Sequence, residues 1–152
     1  MTHGDWPTVQ AIYAAGIATG DATFETSPPS WKEFDASRFA DHRLVAVEEG
    51  EVVGWAALSP TSPRACYAGV VEHSVYVAER AQSRGVGRRL LETLLASAEA
   101  AGIWTVQTSI FLENVASLLL HERVGFRVVG RRERIAQQNG VWRDTLLLER
   151  RI

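Results

Sequence analysis

The sequence predicts an α/β domain built on a mixed β-sheet with helices on both faces. Segments with helical periodicity alternate with short apolar segments in the order helix-helix-strand-strand-strand-helix-strand-helix-strand-strand. The strand-helix-strand unit in the middle of the chain requires two parallel strands. Two glycine-containing turns, Glu49-Gly50-Glu51 and Asn139-Gly140, instead predict antiparallel hairpins, so the sheet is mixed.

Length and composition indicate one globular domain over residues 1–152. Apolar residues make up 46% of the chain and charged residues 22%, which argues against disorder. The formal net charge of -2 gives no electrostatic reason to expect nucleic acid or an anionic membrane as a partner. Cys66 is the single cysteine, so no internal disulfide or cysteine-based metal site can form. With no leader-like or membrane-spanning segment, a cytoplasmic protein without a metal is expected.

Two helices are predicted in the N-terminal part of the chain. Apolar residues at helical spacing predict a first helix over residues 6–19, with Asp5 as its N-cap. Ser30 followed by Glu33 is a capping-box pattern, which predicts a second helix over residues 30–39.

The rest of the chain supplies the sheet and two further helices. Strands are predicted over residues 44–48, 52–58, 71–77, 105–110, 126–131 and 141–149, and helices over residues 85–101 and 115–124. In the third strand Glu72, Ser74 and Tyr76 alternate with apolar residues and His73, so the three side chains share one face.

A glycine-rich turn between the third strand and the next helix predicts a phosphate site. The turn reads Gln82-Ser83-Arg84-Gly85-Val86-Gly87-Arg88. Glycine at 85 and 87 allows the backbone to approach a ligand closely, and the first-turn N–H groups of a helix are free to bind a phosphate. The turn lacks the third glycine of a dinucleotide fingerprint and the Gly-Lys-Ser/Thr ending of a P-loop.

The pattern Gln-x-x-Gly-x-Gly resembles the pyrophosphate-binding motif of the GNAT superfamily of N-acetyltransferases. Residues 22–26, 71–77 and 114–126, with a weaker match at 142–144, resemble the branch of that family that acts on phosphinothricin or methionine sulfoximine. The resemblance implies the GNAT acyl-CoA N-acyltransferase fold, acetyl-CoA as co-substrate, no metal, and a primary amine as acceptor.

The resemblance also assigns chemical roles to individual residues. An amine is mostly an ammonium ion near neutral pH, so a proton acceptor must lie near it, and Glu72 matches the family's general base. His121 matches the position from which a side chain protonates the departing CoA thiolate. Each has an alternative explanation: Glu72 as an exposed strand residue, and His121 as a helix residue that only binds substrate or cofactor.

Acetyl-CoA is implied to lie along the third strand and the glycine-rich turn, and against the last helix. The strand's backbone also supplies the N–H group for the tetrahedral intermediate in the resembling enzymes. The residues implied to contact the cofactor are Val75, Tyr76, Val77, Gln82, Ser83, Arg84, Gly85, Val86, Gly87, Arg88, Asn114 and Ser117. Asn114 can equally be the N-cap of its helix.

The acceptor-binding positions depart from the family pattern. Phe24, Arg64 and Tyr67 match them, whereas Ser62 and Ala68 stand where relatives often carry basic residues. Fewer cations indicate a less anionic substrate or another mode of recognition.

The N-terminal strand of the family fold is expected to be shortened or missing, because the chain starts Met-Thr-His-Gly-Asp. A sheet edge exposed in this way favours pairing with a second copy, so a homodimer is expected. The expected reaction is acetylation of the α-amino group of a small amino acid analogue such as phosphinothricin, methionine sulfoximine or arsinothricin. Two alternatives stay open: a GNAT enzyme for a polyamine, aminoglycoside or peptide N-terminus, and a non-catalytic acyl-CoA-binding domain.

Overall fold

A computed structural model describes all 152 residues and contains one six-stranded mixed sheet. The helices are α1 (Trp6–Ala18), α2 (Trp31–Ser37), α3 (Val86–Ala100) and α4 (Val115–Arg123). The strands are β1 (Arg43–Glu48), β2 (Glu51–Pro60), β3 (Val70–Val77), β4 (Thr105–Phe111), β5 (Arg127–Gln138) and β6 (Val141–Arg151). The strand order is β1-β2-β3-β4-β6-β5, and only β3 and β4 are parallel. The predicted fold class and element order are therefore confirmed.

Helices cover both faces of the sheet because β2 carries apolar side chains on both of its faces. Trp55 and Ala57 pack against α1 and α2, and Ala56 and Leu58 pack against α3. All four residues are fully buried. α4 lies on the same side as α3, since Leu118 and Leu120 pack against that core. On the other face, α1 and α2 cover only β1, β2 and β3. No helix covers that face over β4, β6 and β5.

The residues before α1 form a short 3-10 helix, His3–Asp5. Asp5 occupies the predicted N-cap position of α1, but its side chain makes no capping hydrogen bond there. The Asp5 carboxylate accepts hydrogen bonds from the backbone N–H of Thr2 (2.6 Å) and from its hydroxyl (3.0 Å), so it closes the preceding turn instead. The terminal amine of Met1 donates to the carbonyl of Arg43 in β1 (3.0 Å). One edge of the sheet is thus formed by β1 and the other by β5.

Local signals in the sequence account for the element ends. The Ser30 hydroxyl accepts from the Glu33 N–H while the Glu33 carboxylate accepts from the Ser30 N–H, which confirms the capping box, although α2 ends at Ser37. β5 is seven residues longer at its end than the sequence predicts. Its second half is polar and contains a bulge at Arg134, whose N–H donates to the Asp144 carboxylate (2.8 Å), so no apolar alternation marks it as a strand.

Candidate active site

A gap opens in the middle of the sheet where β3 and β4 separate. The two strands pair only from Val70–Thr105 to Glu72–Gln107, although β3 continues to Val77 and β4 to Phe111. Glu72 therefore stands at the last paired position, next to the start of the gap.

The backbone of β3 presents free hydrogen-bonding groups to this gap. The N–H of Ala78 donates to the carbonyl of Val53 on β2 (2.8 Å). In an antiparallel pair the bonds alternate, so Tyr76 and Ser74 also bond to β2, whereas the groups of Val75 and Val77 point to the other side. There the N–H groups of both residues and the C=O of Val75 have no strand partner, and the C=O of Val77 accepts from the Gln82 side chain. That side has no strand partner beyond Glu72, so an extended ligand can pair with it.

A cradle of N–H groups follows directly at the end of β3. Ser83 and Gly85 have left-handed backbones, with φ of 59° and 84°, and turn the chain into α3. The first helical bond runs from Arg89 to the carbonyl of Gly85 (3.0 Å), so the preceding N–H groups of the first turn stay free. These donors and the positive end of the helix dipole suit a phosphate.

Glycine is required at the two positions of the turn for different structural reasons, and neither reason could be predicted from the sequence. A β-carbon at Gly85 would meet no atom within 4 Å, so glycine is favoured there by its positive φ. A β-carbon at Gly87 would lie 3.2 Å from Cδ2 of Leu120, so glycine there lets α3 approach α4. The side chain of Gln82 closes the turn by donating to the carbonyl of Val77 (3.3 Å).

Two arginines of the cradle already have carboxylate partners. Arg84 pairs with Glu48 of the β1–β2 hairpin (3.0 Å), and Arg88 pairs with Glu92 one turn along α3 (2.7 Å). All four side chains are substantially exposed, so each pair is weak in water. An anionic ligand can therefore recruit either arginine at small cost.

Glu72 lies on the face of the sheet that α1 and α2 leave open beyond β3. Its side chain is exposed and shares this face with Ser74 and Tyr76. Gln107 is its register partner on β4, so it lies beside Glu72 on the same face. A carboxylate in this position can accept a proton from a small molecule bound over the gap.

His121 lies on the opposite side of the sheet and is 1% exposed. Its Nε2 is 3.0 Å from Nε2 of His73, and its Nδ1 is 2.6 Å from the carbonyl oxygen of Ser117. His73 follows Glu72 in β3, and neighbouring strand residues point to opposite faces. Glu72 and His121 therefore do not face one another; they flank the sheet from its two sides.

The proton positions of the histidine pair follow from these contacts. The Ser117 carbonyl can only accept, so His121 carries its proton on Nδ1 and offers a lone pair at Nε2. His73 must then donate from its Nε2, which leaves its buried Nδ1 without a partner. Burial lowers the pKa of both rings; for His73 the effect is large, and the neighbouring His121 adds to it. The sequence analysis did not assign a role to His73, although its position among the apolar residues of the strand indicates a buried histidine that needs a polar partner.

Asn114 and Ser117 are joined at the start of α4. The Asn114 side-chain oxygen accepts from the Ser117 N–H (3.2 Å), which confirms the N-cap, and its amide nitrogen donates to the carbonyl of Asp21 (3.1 Å). The Ser117 hydroxyl lies 3.4 Å from Nδ1 of His121. Asn114 therefore connects α4 to the loop that carries Phe24.

The three residues expected to bind the acceptor lie in two separate loops. Phe24 is half-buried and packs edge-on against Phe111 of β4, with ring centroids 4.7 Å apart. Arg64 and Tyr67 are exposed in the β2–β3 loop, where the guanidinium carbon is 5.6 Å from the Tyr67 ring centroid. No hydrogen bond, ion pair or ring contact joins Phe24 to Arg64 or Tyr67.

Arg143 fixes the position of the loop that carries Phe24. It donates to the carbonyl of Gly20 (3.1 Å), pairs with Asp21 (2.8 Å) and Glu113 (3.2 Å), and stacks on the ring of Phe111 (4.1 Å). Its side chain is 15% exposed. The sequence marked this residue only through a weak block at 142–144.

Two further properties of the chain bear on the classes of function. None of its helices combines the length and the apolar character needed to cross a membrane. No group of three or more His, Cys, Asp or Glu side chains is arranged to hold a metal ion.

Similarity to known proteins agrees with this geometry. The Acetyltransferase (GNAT) family pattern matches residues 11–126. A phosphinothricin N-acetyltransferase of Alcaligenes faecalis is 38% identical over 153 residues, covering 96% of this chain and 77% of the relative. An L-methionine sulfoximine/L-methionine sulfone acetyltransferase of Pseudomonas paraeruginosa is 31% identical, covering 95% and 88%.

A solved structure shares the whole fold. It is a GNAT superfamily phosphinothricin acetyltransferase from Sinorhizobium meliloti in complex with AcCoA, with a TM-score of 0.90 and 29% identity, covering 100% of this chain and 85% of that one. Acetyl-CoA is the co-substrate of the family's members. The open sheet, the N–H cradle and these similarities together establish that the chain belongs to the GNAT family of acetyltransferases and is an N-acetyltransferase related to the phosphinothricin and methionine sulfoximine enzymes.

Proposed function

We propose that this N-acetyltransferase transfers the acetyl group of acetyl-CoA to the α-amino group of a small amino acid analogue. The acceptors proposed are of the phosphinothricin, methionine sulfoximine or arsinothricin type. The observation that carries the proposal is the exposed carboxylate of Glu72 beside a gap in the sheet that continues into an N–H cradle. The relatives described above support the choice of acceptor.

Acetyl-CoA binds along β3 in this proposal. Its pyrophosphate accepts hydrogen bonds from the free N–H groups of Val86, Gly87 and Arg88, and its pantetheine arm pairs with the backbone of Val75 and Val77. The thioester then lies in the gap near Glu72. The other residues proposed to contact the cofactor are Tyr76, Gln82, Ser83, Arg84, Gly85, Asn114 and Ser117.

Glu72 acts as general base on the acceptor side of the sheet. It takes a proton from the ammonium group, directly or through water, and the free amine attacks the thioester carbonyl carbon. A tetrahedral intermediate forms, and an N–H of Val75 or Val77 stabilises the negative charge on its oxygen. When the intermediate collapses, the C–S bond breaks, CoA leaves as a thiolate, and the nitrogen releases its second proton to solvent, which leaves the neutral amide.

His121 is proposed to supply the proton for the thiolate from the other side of the sheet. Because its ring is buried and its Nε2 faces His73, the proton leaves from Nδ1 through the Ser117 hydroxyl, 3.4 Å away. A base on one face and an acid on the opposite face suit a reaction in which the amine and the thiol lie on opposite sides of the gap. Burial lowers the pKa of His121, so its protonated form is the minor one at neutral pH. The hydrogen bond from His73 gives the buried ring a neighbour through which a proton can be exchanged.

The acceptor is proposed to lie between the loop of Phe24 and the loop of Arg64 and Tyr67. The open half of the sheet face between them leaves space for a small molecule next to Glu72. Aromatic rings and one cation suit an acceptor with an apolar body and one anionic group.

We also propose that the chain is a homodimer. Both sheet edges, β1 and β5, lack a strand partner within the chain, and free edges favour pairing or coverage by another copy.

A thiol-release assay with acetyl-CoA tests the proposed reaction. The acceptor panel contains phosphinothricin, methionine sulfoximine and arsinothricin, together with spermidine, an aminoglycoside and a short peptide with a free N-terminus. CoA release with at least one amino acid analogue, and acetylation of its α-amino group by mass spectrometry, is the expected result. CoA release only with the other amines would contradict the proposed class of acceptor. Binding of acetyl-CoA without CoA release in the presence of any acceptor would contradict the proposed acetyl transfer.

A further inference from the structure

Two arginines of β5 have a guanidinium without a carboxylate partner: Arg134, which stacks on Trp142, and Arg132. Arg127 is paired with Glu149, and Arg131 is paired with Asp144. Arg132 instead donates to the neutral hydroxyl of Ser109 and forms no ion pair. A guanidinium with only a neutral partner keeps its capacity for a bidentate bond to a carboxylate.

The side chain of Arg132 lies across the sheet. In register, Arg132 pairs with Thr145 of β6, whereas Ser109 belongs to β4 on the far side of β6. Neighbouring strands are about 4.8 Å apart, so the guanidinium must cross β6 to reach the Ser109 hydroxyl. The positive charge therefore stands over β4 and not at the edge of the sheet.

This charge lies on the same face as Glu72. Ser109 follows Gln107 by two residues in β4, so both side chains point to one face, and Gln107 is the register partner of Glu72. Standard strand spacing and rise place the backbone of Ser109 about 8 Å from that of Glu72. In an α-amino acid a single carbon separates the amino group from the carboxylate, so a small acceptor can reach both side chains.

Another cation on this part of the molecule is already engaged. Arg143 holds Asp21 and Glu113 through short ion pairs. In the β2–β3 loop, Ser62 and Ala68 leave few cations beside Arg64. Arg132 on β5 therefore provides a positive charge near Glu72, where the β2–β3 loop provides few.

We propose that Arg132 binds the carboxylate of the acceptor while Glu72 takes the proton from its amino group. This inference rests on the proposed function and names a residue that sets its specificity. It also accounts for how a chain with few loop cations can recognise an α-amino acid.

The test compares Arg132→Gln with Arg132→Lys and Arg134→Gln. Arg134 is a matched control, since it lies on the same strand, is exposed, and stacks on Trp142 (5.0 Å). Steady-state kinetics use methionine sulfoximine and its carboxamide, which lacks the negative charge. Arg132→Gln is expected to raise KM for the acid about 10- to 100-fold, because a charge-assisted bidentate bond is lost. KM for acetyl-CoA and for the carboxamide, and all constants of Arg134→Gln, are expected to stay near the wild-type values.

The kinetic results distinguish failure of this inference from failure of the proposed function. Partial recovery of KM in Arg132→Lys supports the inference, since lysine keeps the charge but loses the fork geometry. Equal effects of Arg132→Gln on the acid and the carboxamide, or no effect on either, overturn the inference while the proposed function stands. If the wild-type protein acetylates no amino acid acceptor, the proposed function fails and this inference fails with it.

Discussion

At the residue scale, the buried pair of His73 and His121 shows that the two proposed catalytic residues, Glu72 and His121, lie on opposite faces of the sheet. The two rings lie on the side of α3 and α4, stacked with centroids 4.9 Å apart, while Glu72 points to the other face. The sequence indicated the two proposed catalytic residues but not the division between two faces. That division depends on which strand residue contacts α4, and the contact joins positions 48 residues apart.

The same pair makes the stability of the fold depend on pH. Burial lowers the pKa of both histidines, so they are neutral in the folded chain and take up protons on unfolding once the pH falls below about 6.5. The unfolded state then binds more protons, and the free energy of unfolding decreases as the pH falls. Melting temperatures measured from about pH 7.5 to about pH 5 should fall more steeply in the wild type than in the double variant His73→Asn, His121→Asn. Parallel slopes would contradict the conclusion that the two histidines are neutral in the folded chain and protonated on unfolding.

At the element scale, the turn into α3 combines a strained backbone with the cofactor cradle. Gly85→Ala is expected to cost about 1 kcal/mol of stability, because alanine disfavours a positive φ, and to weaken acetyl-CoA binding as the turn shifts. Gly102→Ala is the matched control: its φ is 75°, a β-carbon there also meets no atom within 4 Å, and it lies at the other end of α3. Melting temperature and calorimetric titration with acetyl-CoA measure both effects. Equal loss of acetyl-CoA affinity in the two variants would contradict the role of the turn.

Elements with strong local signals could be predicted from the sequence. The capping box at Ser30 and the turns at Gly50 and Gly140 are local patterns, and their elements form where expected. The second half of β5 could not be predicted, because pairing with β6 and the bond from Arg134 to Asp144 stabilise it instead of apolar alternation. The gap between β3 and β4 is likewise a property of pairing and leaves no mark in either strand's sequence.

At the scale of the whole molecule, exposed apolar side chains gather beside one edge of the sheet. Val128 and Val129 of β5 are 53% and 45% exposed, and Leu119 of the neighbouring α4 is 46% exposed. An apolar patch beside a free strand edge is typical of a subunit interface. Light scattering is expected to give the mass of a dimer, and the double variant Val128→Asp, Leu119→Asp the mass of a monomer. A monomeric wild-type protein at concentrations of tens of micromolar would contradict the proposed homodimer.

The proposed reaction depends on Glu72 acting as the base for an amine that attacks acetyl-CoA. The most direct measurement is the pH dependence of kcat/KM for the wild type and Glu72→Gln with the same acceptor, alongside acetyl-CoA affinity by calorimetry. We expect Glu72→Gln to lower kcat/KM by about 10²-fold or more at neutral pH, with the deficit shrinking at high pH as the amine loses its own proton. Acetyl-CoA affinity should not change. A variant with the wild-type rate and the wild-type pH profile would contradict the assignment of Glu72 as the base.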